Sequence, residues 1–339
     1  MKKIVFISAF QEGVLRGAET FTKELARQLA KTYQVDIIAG HMSPGKRWPF
    51  LWRTFLDPNG LSVFAFTISK IAKIWKGRYD IVIPVNGGWM PAIIRLVTWL
   101  YGGKMIISGQ SGIGWDERNN LWCFPNAFVA LSPKALKWAR SVNPMIKSYY
   151  IPNGVDTQKF TIRGAANTFG LNRPIVLCVA ALALDKRIDL TIKAVAKIPK
   201  ATLLLVGSLG EGSEIILSYG KRILGKRFVY KSLAHEKMPA VYRGSDVFTL
   251  VSKSFFSFEI AIIEALASGL PVVINDDPIR RKIAGDTAIY VNPSNTAGYQ
   301  KALLQAINKG KDKTLTVMAR KFDWQVIAKK YVTVFQKMV

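Results

Sequence analysis

The sequence predicts an α/β protein of two doubly wound, parallel-sheet domains facing a cleft. Three observations lead there. Short apolar runs alternate with segments of helical periodicity from the first residues onward. Such runs, buried on both faces and separated by helices, indicate parallel strands. The alternation pauses at a Pro/Gly/Asn-rich stretch, IPNGVDTQKF (residues 151–160), and then restarts. A chain of 339 residues also suits two domains of ordinary size, each burying its own core.

The elements follow in order. IVFISAF (4–10) is a β-rich run, read as a first strand rather than a signal peptide because Gln11 and Glu12 end it early and no small-residue cleavage site follows. A Gly-containing loop leads to a helix from about Glu19, with Phe21, Leu25, Ala26 and Leu29 at helical spacing. VDIIAG (35–40), YDIVIPVNG (79–87) and KMIISG (104–109) are further buried strands, each closed by a small residue or turn. After the connection near 152–174, PIVLCVAAL (174–182) is a strand and IDLTIKAVAKI (188–198) a helix. ATLLLVGS (201–208) and VFTLVS (247–252) are strands, and the helix IAIIEALASG (260–269) leads to the strand PVVIN (271–275). FDWQVIAKKYVTVFQKMV (322–339) closes the chain as a basic amphipathic helix. Both halves therefore read as Rossmann-like.

Composition narrows the function. Half of the residues are hydrophobic and 21% are charged, which sets disorder aside. Forty-eight Lys and Arg against 22 Asp and Glu leave a net charge of +26, spread over both halves. Such a field attracts polyanions: nucleic acid, anionic lipid or phosphorylated ligands. Cys123 and Cys178 stand in no metal-like or redox-like spacing, and with His41 and His235 as the two histidines a zinc site is not expected. The best apolar run, from Trp89 to Ser108, is broken by Arg95, Gly102, Gly103 and Lys104, so no membrane span is expected. The expectation is a cytoplasmic protein, peripheral on the inner face of the membrane where it meets one.

Seven segments in order, RGAETFTKELARQL, FVALSPKAL, IPNGVDTQKF, DKRIDLTIKA, LLLVGS, MPAVYRGSDVFTLVS and IIEALASGLPVV, resemble glycosyltransferase family 4 (group 1), retaining transferases of the GT-B fold. The resemblance spans almost the whole chain. It implies an acceptor-side domain at 1–155, a nucleotide-sugar donor domain at 156–315, and a last segment, 316–339, whose helix packs back on the first domain. It also implies sugar transfer from a nucleotide diphosphate donor to a lipid-linked or polysaccharide acceptor, with no cofactor. No metal is expected, since positive charges and helix N-termini can take a cation's role.

The donor-site residues are carried over position by position. Lys186, in DKRID, matches the family's lysine at the diphosphate; Arg187 stands where glycine is common, and Ala181 where an arginine is common. Glu264, in IIEALASG, matches the second glutamate of the family's pair, which holds ribose hydroxyls, so Lys186 and Glu264 are the candidate catalytic residues. A glutamate in so apolar a helix needs a partner. The first glutamate of the pair is replaced by Phe256. Phe258, Glu259 and Ile260 should present backbone N–H groups to the diphosphate, with Gly207 and Leu233 also on the donor side. Glu259 stands where glycine is usual, and two readings stay open: it reaches the sugar in place of the missing carboxylate, or it repels an anionic donor. Gly17 and Arg16 occupy the first loop, where a glycine lets backbone approach phosphate.

On the acceptor side, Gln110 and Ser111 stand where many relatives carry a histidine, and Asp116 is the nearest base in sequence; it equally suits a helix start. His235 lies in a loop that borders the base in the family, and a loop histidine is more often structural. GKRWPFLWRTF (45–55) interleaves aromatics with cations, making Trp48, Trp52 and Arg53 candidate contacts to an anionic membrane, and ISKIAKIWKGR (68–78) adds cations. Packing into the first domain's core is the alternative for those aromatics. No nucleic-acid recognition fold is visible, and no nucleic-acid partner is expected. The departures at Phe256, Ala181 and Gln110 also fit a non-catalytic sugar- or lipid-binding protein on the same frame.

Overall fold

A computed structural model of the chain describes residues 1–14, 17–43, 48, 53–210, 212–253 and 258–338, Arg53 in its backbone alone. The chain forms two compact units, one from Met1–Asn153 with Phe255–Phe258 and Trp324–Val339, the other from Gly154–Ser254 with Glu259–Asp323.

Unit 1 alternates strand and helix as the sequence patterning implies: β1 (Lys3–Ser8), α1 (Gly17–Leu29), β2 (Gln34–Ala39), α2 (Arg53–Leu56), α3 (Pro58–Gly77), β3 (Ile81–Pro84), α4 (Trp89–Tyr101), β4 (Lys104–Ser108), α5 (Trp115–Trp122), β5 (Ala127–Ala130), α6 (Pro133–Val142) and β6 (Ser148–Tyr150). The six strands are parallel in the order β2-β1-β3-β4-β5-β6. Every residue of β3 and β5 is buried, which is why these strands lack polar alternation. Helix starts are written locally. Asp57 accepts from the Gly60 N–H and Ser132 from that of Ala135, each followed by a proline whose missing N–H costs nothing in the first turn.

The pleat sorts the unit 1 core into two layers. Val5, Ile7 and Val82 face α3 and α4 through Val63, Ile74, Met90 and Ile94. Ile4, Phe6, Ile81 and Ile83 face α1 and the last helix. Helix α1 begins at Gly17, a turn-fraction earlier than the apolar spacing suggests.

Unit 2 repeats the alternation: β7 (Ile175–Val179), α7 (Ile188–Ala196), β8 (Thr202–Val206), α8 (Ser213–Leu224), β9 (Phe228–Lys231), α9 (Met238–Gly244), β10 (Val247–Leu250), α10 (Ile260–Ala267), β11 (Val272–Asn275), α11 (Pro278–Ala284), β12 (Ile289–Val291), α12 (Thr296–Lys309) and α13 (Thr314–Arg320). Its parallel sheet runs β12-β11-β10-β7-β8-β9. Read from the other edge, this is the doubly wound order third, second, first, fourth, fifth, sixth.

Helix α14 (Trp324–Gln336) belongs to unit 1. Its Trp324, Ile327, Tyr331 and Phe335 are buried, with Trp324 and Tyr331 at 6.2 and 6.1 Å from the Phe21 ring. Each such side chain contributes about 1.5–3 kcal/mol by leaving water. Unit 2 runs to Asp323, past the expected end at 315, because α13 packs on α10 before the chain leaves.

Candidate functional site

In an open parallel sheet, ligands bind outside the carboxyl ends of the strands, where the strand order reverses. In unit 2 that reversal lies between β7 and β10. Two bonds tie the loops leaving these strands: Arg187 Nε donates to the Val251 carbonyl at 2.7 Å, and the Lys253 N–H to that of Asp185 at 3.0 Å. Arg187 has a φ of 49°, in the left-handed region. That is the physical reason glycine suits this place; the bond to Val251 offsets the strain a Cβ brings.

Lys186 and Glu259 meet at this point. Lys186 Nζ lies 3.1 Å from Glu259 Oε1, with 14% of the lysine side chain exposed. Ser252 Oγ donates to the same oxygen at 2.5 Å. Glu259 Oε2 receives Arg280 Nη2 at 2.7 Å, and Arg280 has no exposed surface. Arg280 also reaches Asp277 Oδ2 at 3.2 Å and Ser252 Oγ at 2.6 Å. Asp277 in turn caps α11 by accepting from the Ile279 and Arg280 N–H groups. Burial alone would push the Glu259 carboxyl up; the charges of Lys186 and Arg280 and the Ser252 and Arg280 hydrogen bonds outweigh it and hold the group below its usual range.

The Glu259 carboxylate turns to Arg280 and Lys186, so its negative charge is matched by two cations in contact. Arg280 was not foreseen. In PIRRKIA it reads as one of three solvated cations, and only packing separates it from exposed Arg281.

A second polar group surrounds Glu264, buried on α10. Tyr242 Oη donates to its Oε2 at 2.8 Å, and His235 Nε2 lies 2.6 Å from its Oε1. Here are the partners the apolar helix requires. Tyr242 is itself buried, and burial with the Glu264 charge raises its phenol well above the usual value, so it stays a donor. Phe160 packs against His235 at 5.4 Å and Tyr242 at 5.7 Å, fixing both rings. Each carboxylate oxygen keeps a further lone pair for a ligand hydroxyl.

Of the other donor-side candidates, Gly207 follows β8, and a Cβ there would fall 1.8 Å from the Ala180 carbonyl oxygen. Its smallness lets the loops after β7 and β8 pack. Leu233 lies half-buried in the loop after β9, two residues before His235. Glu259 is the N-cap residue of α10, between half-buried Phe258 and Ile260, and makes no side-chain cap bond. Phe256 and Arg16 lie outside the described residues.

In unit 1 the strand order reverses between β1 and β3. Asn86 Oδ1 accepts the Ala9 N–H there at 2.7 Å, and exposed Gly17 opens α1. Gln110 pairs with Asn153 through both amide groups, at 2.9 and 3.2 Å, and donates to Ser108 Oγ at 2.8 Å. Asp116 Oδ1 accepts from Thr54 Oγ1 at 2.6 Å, whereas Glu117, which the sequence reading passed over, turns inward. Glu117 Oε1 accepts the Ser111 N–H at 2.8 Å and its Oε2 the Asn120 side-chain amide at 3.0 Å. Burial pushes its carboxyl up to about 7 against the lowering pull of those bonds. Glu117 is thus the carboxylate that holds the Gly109–Gly114 loop, while its sequence neighbour Asp116 bonds Thr54. Helical spacing could have found it: Leu121 lies four residues on, on the same buried face.

Among the described residues no group of three or more His, Cys, Asp and Glu could hold a metal ion, and no helix is long and apolar enough to cross a membrane. Of the membrane candidates, Trp48 is 42% exposed, Arg53 begins α2, and Trp52 lies outside the described residues.

Residues 162–321, almost all of them in the second unit, match the family described as glycosyl transferases group 1. A GDP-mannose-dependent alpha-(1-6)-phosphatidylinositol monomannoside mannosyltransferase from Mycolicibacterium smegmatis is 23% identical over 292 residues, 76% of each chain. The phosphatidyl-myo-inositol mannosyltransferase of Mycobacterium tuberculosis is 25% identical over 224 residues, 61% of this chain and 58% of that protein. The crystal structure of Anabaena HepE in complex with UDP-glucose superposes with a TM-score of 0.76 at 15% identity, covering 99% of this chain and 100% of that one. The two six-stranded parallel sheets have the GT-B fold.

Proposed function

We propose that this chain is a retaining glycosyltransferase that moves a sugar from a nucleotide diphosphate donor to a lipid-linked or polysaccharide acceptor. One observation carries the reading: Lys186 and the Glu264–Tyr242–His235 group stand in a domain matching group 1 glycosyl transferases, Lys186 at the point where the strand order reverses. The mannosyltransferase relatives named for phosphatidylinositol acceptors support the lipid-linked alternative. The HepE complex supports a nucleotide-sugar donor.

The chemistry follows from the charges. The bond between the sugar's anomeric carbon and the diphosphate oxygen breaks, and the diphosphate leaves with the electron pair. Lys186 offsets that charge, with Arg187 beside it and the N-terminus of α10 adding positive potential. Glu264, oriented by Tyr242 and His235, accepts the ribose hydroxyls. The acceptor oxygen then bonds to the same face of the sugar, and its proton passes to the departing diphosphate oxygen. No metal enters this reading, because these cations and N–H groups supply the positive potential.

A second reading, a sugar- or lipid-binding protein without turnover, is favoured by the contact of Lys186 with Glu259. Calorimetric titration with UDP, GDP and their common sugar conjugates tests both. Binding that disappears in Glu264→Ala, followed by transfer with the matching donor and an unchanged anomeric configuration by NMR, supports the enzyme. Binding without transfer to any acceptor supports the second reading, and binding of no nucleotide overturns the enzyme and leaves the second reading in the lead.

A further inference from the structure

Helix α3 has two apolar faces. Val63, Thr67 and Ile74 pack inward. Leu61, Phe64, Ile68 and Trp75 point to solvent, Leu61 with 53% of its surface exposed. Their spacing of three, four and seven residues forms one stripe along the helix. At a rise of 1.5 Å per residue this stripe is about 20 Å long.

Helix α4 extends it. The Phe64 and Trp89 rings lie 5.3 Å apart and the Trp75 and Tyr101 rings 6.1 Å apart, so the two helices run side by side in the same direction. On α4, Leu96, Trp99 and Leu100 are exposed at 57, 68 and 59%. Exposed apolar side chains scattered singly need no explanation, but a continuous two-helix face does.

The charge around this face has one sign. Lys70, Lys73, Lys76 and Arg78 line α3 and its C-terminus, and neither helix contains an acidic residue. Arg78 lies over the Trp75 ring at 4.7 Å, and Lys70 over that of Phe66 at 5.6 Å. The carboxylates at the two ends are spent on backbone: Asp57 accepts the Gly60 N–H and Asp80 the Lys3 N–H, each at 2.7 Å. A second copy of this face would set like charges against each other. Aromatic and aliphatic side chains with a cationic fringe instead suit the boundary between acyl chains and anionic headgroups.

We infer that the outer face of α3 and α4 docks the protein on an anionic lipid bilayer, lying in its surface without crossing it. This moves the contact from the Trp48–Arg53 segment to the two helices. It deepens the acceptor half of the proposed function and rests on that reading for its purpose, so the test contains neither donor nor acceptor.

The full chain is mixed with phosphatidylcholine vesicles, with and without a third of phosphatidylglycerol, and bound protein is measured by flotation at physiological salt. Wild type should float with the anionic vesicles and lose binding as salt rises. Lys73→Glu with Lys76→Glu, and separately Trp99→Ser with Leu100→Ser, should each weaken binding at least about tenfold. Lys313→Glu with Lys321→Glu, on exposed positions of unit 2, should match wild type apart from the general loss of charge. All four altered positions of the two test variants are exposed, so urea unfolding should be unchanged. Equal losses in the test and control variants would overturn the inference, as would absence of wild-type binding or a dimer in solution that Trp99→Ser with Leu100→Ser abolishes. Lipid binding without nucleotide binding would leave it standing and defeat the proposed function instead.

Discussion

The carboxylate of Glu259 lies 2.7 Å from the guanidinium of Arg280, a side chain with no exposed surface, and 3.1 Å from the ammonium of Lys186. A buried charge without a counter-charge is strongly unfavourable, so these residues are held as a set.

Glu259→Gln should therefore lower stability by about 1.5–3 kcal/mol, because Arg280 and Lys186 lose a charge-assisted partner while Arg280 keeps Asp277 at 3.2 Å. Urea unfolding at neutral pH measures this. Combining Glu259→Gln with Arg280→Met should cost less than the sum of the single changes. Since the Glu259 carboxyl is held below its usual range, its contribution is present above the unfolded pKa and lost as pH falls through the folded one. Acidification should thus destabilise wild type more than the Gln variant. Additive costs, or equal acid sensitivity, would mean the pair is not coupled.

Glu117 gives the opposite pH dependence. Its carboxyl is raised to about 7, so between its unfolded value of 4.5 and that point the folded state binds more protons than the unfolded one. Stability should fall as pH rises from 5 to 7, by up to about 1.4 kcal/mol per pH unit from this group. Glu117→Gln should flatten that slope in urea titrations at several pH values. Parallel slopes in the two proteins would show that Glu117 ionises as an ordinary carboxylate.

Tyr242→Phe removes the donor to Glu264 Oε2 and keeps the ring against Phe160. A buried acceptor that loses its partner costs about 1–3 kcal/mol. Melting should register that loss, and calorimetry should show weaker UDP or GDP binding, since Glu264 is no longer oriented. Lost stability with unchanged nucleotide affinity would separate Glu264 from the ligand.

Gly207→Ala drives a Cβ onto the Ala180 carbonyl oxygen and should cost at least about 3 kcal/mol. Gly114→Ala is the control, because nothing lies within 4 Å of its added Cβ and its backbone is extended. Thermal unfolding of both should separate a packing glycine from a permissive one. Similar melting of the two variants would refute the packing role.

The legible part of this protein lies in local pattern. IVFISAF, YDIVIPVNG, PIVLCVAAL and ATLLLVGS are recognisable as central parallel strands because burial on both faces leaves no polar alternation. The apolar spacing of the last helix announced its buried face, and the family resemblance where that face packs. Glu264's need for partners was readable too, but Tyr242 and His235 lie 22 and 29 residues away and carry no signal that they supply it.

By itself, then, the sequence determined two αβ units, their strand and helix order and the placing of a lysine in the loop after a strand and of a glutamate on an apolar helix, because periodicity and turn chemistry act over a few residues. The tertiary structure alone decided what each charge does. Lys186 and Glu259 are 73 residues apart, Ser252 and Arg280 are 28 apart, and Glu117 and Asp116 are neighbours that face opposite environments. Whether a carboxylate is buried, paired or turned to solvent depends on which elements pack against it, and no local pattern encodes that. The same holds for α3: its inner and outer stripes are equally apolar in sequence, and only the sheet beneath one of them distinguishes core from exposed surface.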